Sequence, residues 1–174
     1  GKGAPRIRAS LFGGAHDTYK IGIGAEGEKN GVGFVLDASR FETDGERSYS
    51  AVRRDQSFAK ITLAPDEDST LTLLASNFHQ PDTEDPLGIT WETYQRDENA
   101  VEPVALQYKT RKSISHVQGG AVYERRFGED RLQVQAYAGQ RNVIQYQSIP
   151  KAFQTPETHA GGIIDFERSF HGLG

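Results

Sequence analysis

Cysteine and methionine are both absent from the 174 residues, and tryptophan occurs once. Without cysteine there is no disulfide framework, no thiol nucleophile and no cysteine-ligated zinc, and a thiol-free chain suits an oxidising compartment. No apolar run approaches the ~20 residues that a transmembrane helix needs, and the mean hydropathy is −0.63. That average does not exclude a membrane β-barrel, whose strands alternate apolar with polar residues. An excess of positive charge is also missing. A formal net charge of −4 lacks the basic stripe expected of a nucleic-acid binder. There is no GxSxG, no P-loop and no Cys/His pair, so no catalytic residue and no enzymatic chemistry is expected. His16, His79, His116, His159 and His171 form no HxH or HxxxH, and their spacing along the chain points to no metal site. Asp66-Glu67-Asp68 and Asp82…Glu84-Asp85 lack the glycine and terminal glutamate of a calcium loop and read as solvated turns. No cofactor is expected.

What is present is period two. Tyr19, Ile21, Ile23 and Ala25 alternate with Lys20, Gly22, Gly24 and Glu26, the pattern of a strand with one apolar and one polar face. The alternation recurs in Val32, Phe34, Leu36 and Ala38, in Ala59, Ile61 and Leu63, and in Leu132, Val134, Ala136 and Ala138. Further strands are expected over 6–12, 71–77, 117–125 and 162–168. No amphipathic helix longer than two turns is evident, so the chain is all-β. The polar faces hold Gln, Gly, Lys and Thr, and the apolar faces hold medium aliphatics and Ala. A sandwich would bury larger side chains between two sheets; a membrane barrel would turn its apolar face to lipid. Composition leaves both open.

The links between these strands favour the barrel. They fall at 13–18 (short), 27–31 (short), 42–56 (long), 64–69 (short), 78–116 (very long), 126–130 (short) and 147–160 (long). Tight turns at one rim and long loops at the other are the habit of antiparallel up-and-down transmembrane barrels. The short links carry turn chemistry in Lys29-Asn30-Gly31, Pro65-Asp66-Glu67-Asp68 and Gly128-Glu129-Asp130. Gly1-Lys2-Gly3 at the start, the absence of a signal peptide, and a turn expected over 170–174 lead us to read the chain as part of a longer one. Two rival architectures follow from the same pattern. One is a soluble, lectin-like sandwich that binds ligand on long loops. The other is an eight-stranded barrel complete in itself, in which the first and last strands pair.

A family resemblance is carried by short motifs in order. They begin with Asp44-Gly45-Glu46-Arg47, Ser50-Ala51-Val52-Arg53-Arg54-Asp55 and Ala59-Lys60-Ile61. Asp85-Pro86-Leu87-Gly88-Ile89-Thr90, Tyr108-Lys109-Thr110-Arg111-Lys112 and Gln118-Gly119-Gly120 follow. Ala136-Tyr137-Ala138-Gly139-Gln140-Arg141, Gln145-Tyr146-Gln147-Ser148-Ile149-Pro150 and His159-Ala160-Gly161-Gly162-Ile163-Ile164-Asp165 complete the series. From residue 8 to 174 the chain resembles the early barrel of TonB-dependent outer-membrane receptors, in particular their YncD-like branch. The resemblance implies an integral protein of the Gram-negative outer membrane, with a barrel of about twenty-two strands closed by an internal plug. Residues 1–174 would then be the N-terminal part of that barrel domain, roughly its first eight strands and four external loops. It further implies active import of a scarce nutrient, a ferric siderophore or other iron complex or the cofactor pyrroloquinoline quinone. The partners implied are that ligand, outer-membrane lipid and lipopolysaccharide, the protein's own plug, and TonB.

Candidate ligand contacts follow from the expected loops. Arg47, Arg53 and Arg54 are expected in the second external loop, and Arg111 and Lys112 at the close of the third. Together they could form a cationic vestibule for an anionic chelate or quinone polycarboxylate, since guanidinium suits bidentate carboxylate contacts. The alternative is pairing with Asp44, Glu46 and Asp55, or with lipopolysaccharide phosphates. Trp91 and Tyr94 could stack on a planar ligand or serve a loop minicore or aromatic girdle. Arg141, Gln145 and Gln147, at the outer end of a strand, could face the lumen and touch substrate or plug, or form a structural network there.

Overall fold

The computed structural model describes residues 3–168; the turn expected over 170–174 lies outside them. Eight strands run β1 (Arg6–Gly13), β2 (Tyr19–Lys29), β3 (Val32–Thr43), β4 (Val52–Asp66), β5 (Ser69–Glu84), β6 (Arg111–Phe127), β7 (Asp130–Tyr146) and β8 (Ala152–Glu167). Two single-turn helices, α1 (Trp91–Arg96) and α2 (Pro103–Tyr108), lie between β5 and β6. The strands form one antiparallel sheet in the order of the sequence, β1 to β8. Among the described residues β1 and β8 do not pair, so the eight strands do not close on themselves. The self-contained barrel is thereby corrected, and the sandwich with it, because the described residues form a single sheet.

The links divide by rim more sharply than the sequence suggests. One rim has two-residue turns at 30–31, 67–68 and 128–129; the other has the links 14–18, 44–51, 85–110 and 147–151. We call them the turn rim and the loop rim. At the turn rim Asn30 and Gly31 both take positive φ, 52° and 75°, the twist that a tight hairpin needs and that Asn-Gly supplies at least cost.

Register assigns every strand residue to a face. Ala25, Leu36, Ala59, Ala75, Gly119 and Ala138 lie in one cross-strand row, and Ile61 and Leu73 in the next but one. This is the apolar face. It holds for about seven residues on each central strand, as in Val32–Ala38, Ser57–Leu63 and Leu132–Ala138, some 23 Å at the usual rise. Nothing covers it: Ile23 is 59% exposed, Val117 55% and Ile164 76%. Ala105 is the buried apolar residue among those described. The chain exposes 12046 Å², against roughly 8,400 Å² for a compact protein of its mass. Packing of this kind is that of a wall, with no core of its own.

The strands also run longer than the periodicity indicates. The loops expected at 42–56, 78–116 and 147–160 shrink to 44–51, 85–110 and 147–151. The reason is physical. Beyond the apolar band the rows that continue it turn polar, at Asp55, His79, Ser115 and Asn142. The backbone ladder continues while the hydrophobic alternation that marks it stops.

Candidate ligand-facing site at the loop rim

The longer strands relocate four of the candidate residues. Arg53 and Arg54 belong to β4, and Arg111 and Lys112 open β6, where loop positions were expected. Because neighbours on a strand face opposite ways, the two pairs are split between faces.

Arg53 and Arg111 lie on the rows that continue the apolar face. Arg53 Nη2 meets Asp55 Oδ2 at 2.9 Å, and Arg40 Nε meets Asp55 Oδ1 at 2.6 Å. Arg111 Nε meets Asp82 Oδ1 at 2.9 Å, and its guanidinium sits 3.7 Å from the centre of the Tyr146 ring. These two arginines have local anionic or aromatic partners.

Arg54, Lys112, Arg141 and Gln145 share the polar face. Lys112 is opposite Gln145, and Arg141 lies opposite both His116 and Glu157. Arg54 donates to Gln80 Oε1 at 3.3 Å and lies 5.7 Å from the Phe78 ring centre. Gln80 in turn donates to Thr83 Oγ1 at 2.7 Å. Among the described residues none of the three cations makes an ion pair. Lys20 joins them on that face, through Phe41 in the row of Arg54. It escaped the sequence reading, although the parity of β2 already placed it with the polar residues. Gln147 falls in the 147–151 loop.

Toward the turn rim the same polar face holds three arginines in ion pairs. Arg6 meets Glu26 at 2.8 Å, Arg8 meets Asp37 at 3.7 Å, and Arg131 meets Glu124 at 3.1 Å. The polar face therefore carries ion-paired arginines toward the turn rim, beside Lys60 in the row of Glu26, and toward the loop rim the cations Arg54, Lys112 and Arg141, which make no ion pair among the described residues.

The loops above that cationic end form one body. Arg47 donates through Nε to Ala100 O at 3.0 Å, through Nη1 to Leu87 O at 2.8 Å, and through Nη2 again to Ala100 O. Its fork thus ties the 44–51 loop to the 85–110 loop across the sheet. Ala51 N donates to Glu84 Oε2 at 3.1 Å, and Glu84 N to Ala51 O at 3.0 Å. Tyr49 lies half-buried in the first loop, where burial pushes its phenol up, with the Glu84 charge acting in the same direction. Inside the second loop Thr110 is fully buried, donating through Oγ1 to Asp85 O at 2.5 Å, and its N–H reaches Ala105 O at 3.0 Å. The minicore is therefore Ala105 and Thr110. Trp91 and Tyr94 stand outside it on α1, 69% and 45% exposed. Their rings stack on each other at 5.4 Å and 20°, an aromatic surface open to solvent.

No family model matches the chain. Among solved structures, the unliganded ferric citrate transporter FecA superposes with a TM-score of 0.74 at 18% sequence identity, over 96% of this chain and 26% of that one. The chain thus spans about a quarter of that transporter's length. The likeness shows the fold: residues 3–168 form an open, eight-stranded segment of the wall of an up-and-down β-barrel.

Proposed function

We propose that this chain is the N-terminal part of the barrel domain of a TonB-dependent outer-membrane importer, and that its cargo is an anionic iron complex. The apolar face meets lipid, and the polar face lines a lumen occupied by a plug carried elsewhere in the polypeptide. TonB drives transport through that plug, and lipopolysaccharide surrounds the loop rim. The observation that supports this most directly is the set of Arg54, Lys112 and Arg141 on the polar face at the loop rim, which make no ion pair among the described residues. Unmatched cations in a walled cleft raise the local concentration of an anion. Trp91 and Tyr94, above them, offer a platform to a planar ligand. The finer assignment is to the YncD-like branch, in which pyrroloquinoline quinone, also an anionic polycarboxylate, replaces the ferric chelate.

Fractionated cell envelopes and uptake assays test this reading. The native polypeptide is expected in the outer membrane at several times the 19.2 kDa of this chain. Uptake of labelled ferric chelate, or of the quinone, should vanish in cells lacking TonB. A soluble band at 19.2 kDa would overturn the assignment.

A further inference from the structure

Chain spacing gives no hint that two of the histidines meet. His116 is on β6 and His159 on β8, with β7 between them. They meet because the intervening residue is Gly139. In cross-strand order Gln118, Gly139 and His159 form one row. With no side chain at its centre, the His159 imidazole lies down across β7; a Cβ on Gly139 would come within 2.6 Å of His159 Nε2. Laid flat, His159 Nε2 reaches Gln118 Oε1 at 3.3 Å, and its ring centre stands 5.4 Å from that of His116 at 57°. Tyr137 closes the other side, 6.3 Å from His159. His116 Nε2 is buried and has no hydrogen-bond partner. A buried polar atom without a partner requires an explanation.

We propose that His116 and His159 are a two-imidazole site for a divalent transition-metal ion on the polar face. Two imidazole nitrogens at ~2.05 Å from one tetrahedral ion put their ring centres about 5 Å apart, close to the separation observed. Imidazole suits zinc, copper and nickel. No carboxylate or third histidine completes a cluster among the described residues. An ion there satisfies the His116 nitrogen. Metal binding requires neutral imidazoles. This inference stands on β6, β7 and β8 alone and does not depend on what the protein transports.

The test uses the native polypeptide, purified in detergent and stripped of metal, with Cu²⁺ alone as the probe. One tight ion per polypeptide is expected, with an electron paramagnetic resonance spectrum showing coupling to two nitrogens. His116→Ala and His159→Gln should each weaken binding at least tenfold and reduce the coupling to one nitrogen. Unchanged affinity in the double variant, or no two-nitrogen coupling in the parent protein, would overturn the site. A second measurement needs no variant. Cu²⁺ should protect His116 and His159, and not His16 or His79, from acylation by diethyl pyrocarbonate, and equal labelling with and without the ion would also overturn it.

Discussion

The halves of these eight strands near the turn rim and near the loop rim share one backbone ladder and differ in almost everything attached to it. Toward the turn rim one face is a band of Leu, Ile, Val and Ala, and the other is polar with three of its arginines in ion pairs, as in Arg6–Glu26 and Arg131–Glu124. Toward the loop rim the first face turns polar at Asp55, His79 and Asn142, and the second carries Lys20, Arg54, Lys112 and Arg141 with no ion pairs among the described residues. One half therefore suits insertion between lipid and a fixed interior. The other suits standing in water beside something negatively charged. The difference shows that hydrogen-bonded register builds the wall throughout, while side-chain pattern alone decides what each stretch of it faces.

The largest effect should come from breaking the apolar band. Ala59 lies in its middle row, between Leu36 and Ala75. Ala59→Arg should destabilise the intact protein in lipid vesicles by about 2–4 kcal/mol, the cost of arginine near a bilayer midplane. Asn142→Arg, on the same face beyond the band, should change stability by less than about 0.5 kcal/mol. Reversible denaturant unfolding from vesicles measures both. Equal costs at the two positions would erase the boundary drawn here.

A smaller, local loss is expected at Arg47. Its guanidinium joins two loops that are separate in sequence, through carbonyls of Leu87 and Ala100. Hydrogen bonds from a charged group contribute roughly 1.5–3 kcal/mol, and here they hold loops to each other, away from the sheet. Arg47→Ala should speed hydrogen exchange and proteolysis within 85–110 and leave the unfolding of the strands unchanged. Arg47→Lys should rescue little, since a single ammonium cannot bridge both carbonyls as the fork does.

These contrasts explain what the sequence made legible. The alternation of Tyr19–Ala25 and Leu132–Ala138 revealed strands because the rows of one face are apolar while their neighbours are polar. The same logic hid the outer strand segments. Over residues 52–56, 78–84 and 111–116 the rows that continue the apolar face turn polar at Arg53, Asp55, His79, Arg111, Ser113 and Ser115, so the apolar alternation is lost and the ladder reads as loop. For that reason the sequence alone puts Arg53 and Arg54 in one loop, although strand geometry sends them to opposite faces. Arg47's partners lie 40 and 53 residues away, and the His116–His159 contact depends on a glycine in the strand between them. Neither leaves a local signal. Trp91 and Tyr94 were legible as an aromatic pair, and only the helical turn of α1 stacks one on the other.

The smallest and most discriminating effects concern four cations near the loop rim, Arg53, Arg54, Lys112 and Arg141. Arg53 and Arg54 are adjacent, carry the same charge and sit at the same height, so a general electrostatic attraction would treat them alike. Their surroundings differ. Arg53 has Asp55 at 2.9 Å on the face that continues the apolar rows, where an exposed ion pair contributes at most about 1 kcal/mol. Arg54 has only a glutamine oxygen and a phenyl ring, and shares its face with Lys112 and Arg141. Arg54→Ala, Lys112→Ala and Arg141→Ala should each leave stability within about 0.5 kcal/mol and weaken capture of an anionic cargo by roughly three- to tenfold, the share of one ~1 kcal/mol charge contact. Arg53→Ala should leave capture unchanged. Equilibrium binding at two salt concentrations separates the cases, because the polar-face losses should shrink at high salt as the remaining attraction is screened. If Arg53→Ala weakens binding as much as Arg54→Ala does, the two faces are not distinct to the ligand, and the cations act as a diffuse field around the rim.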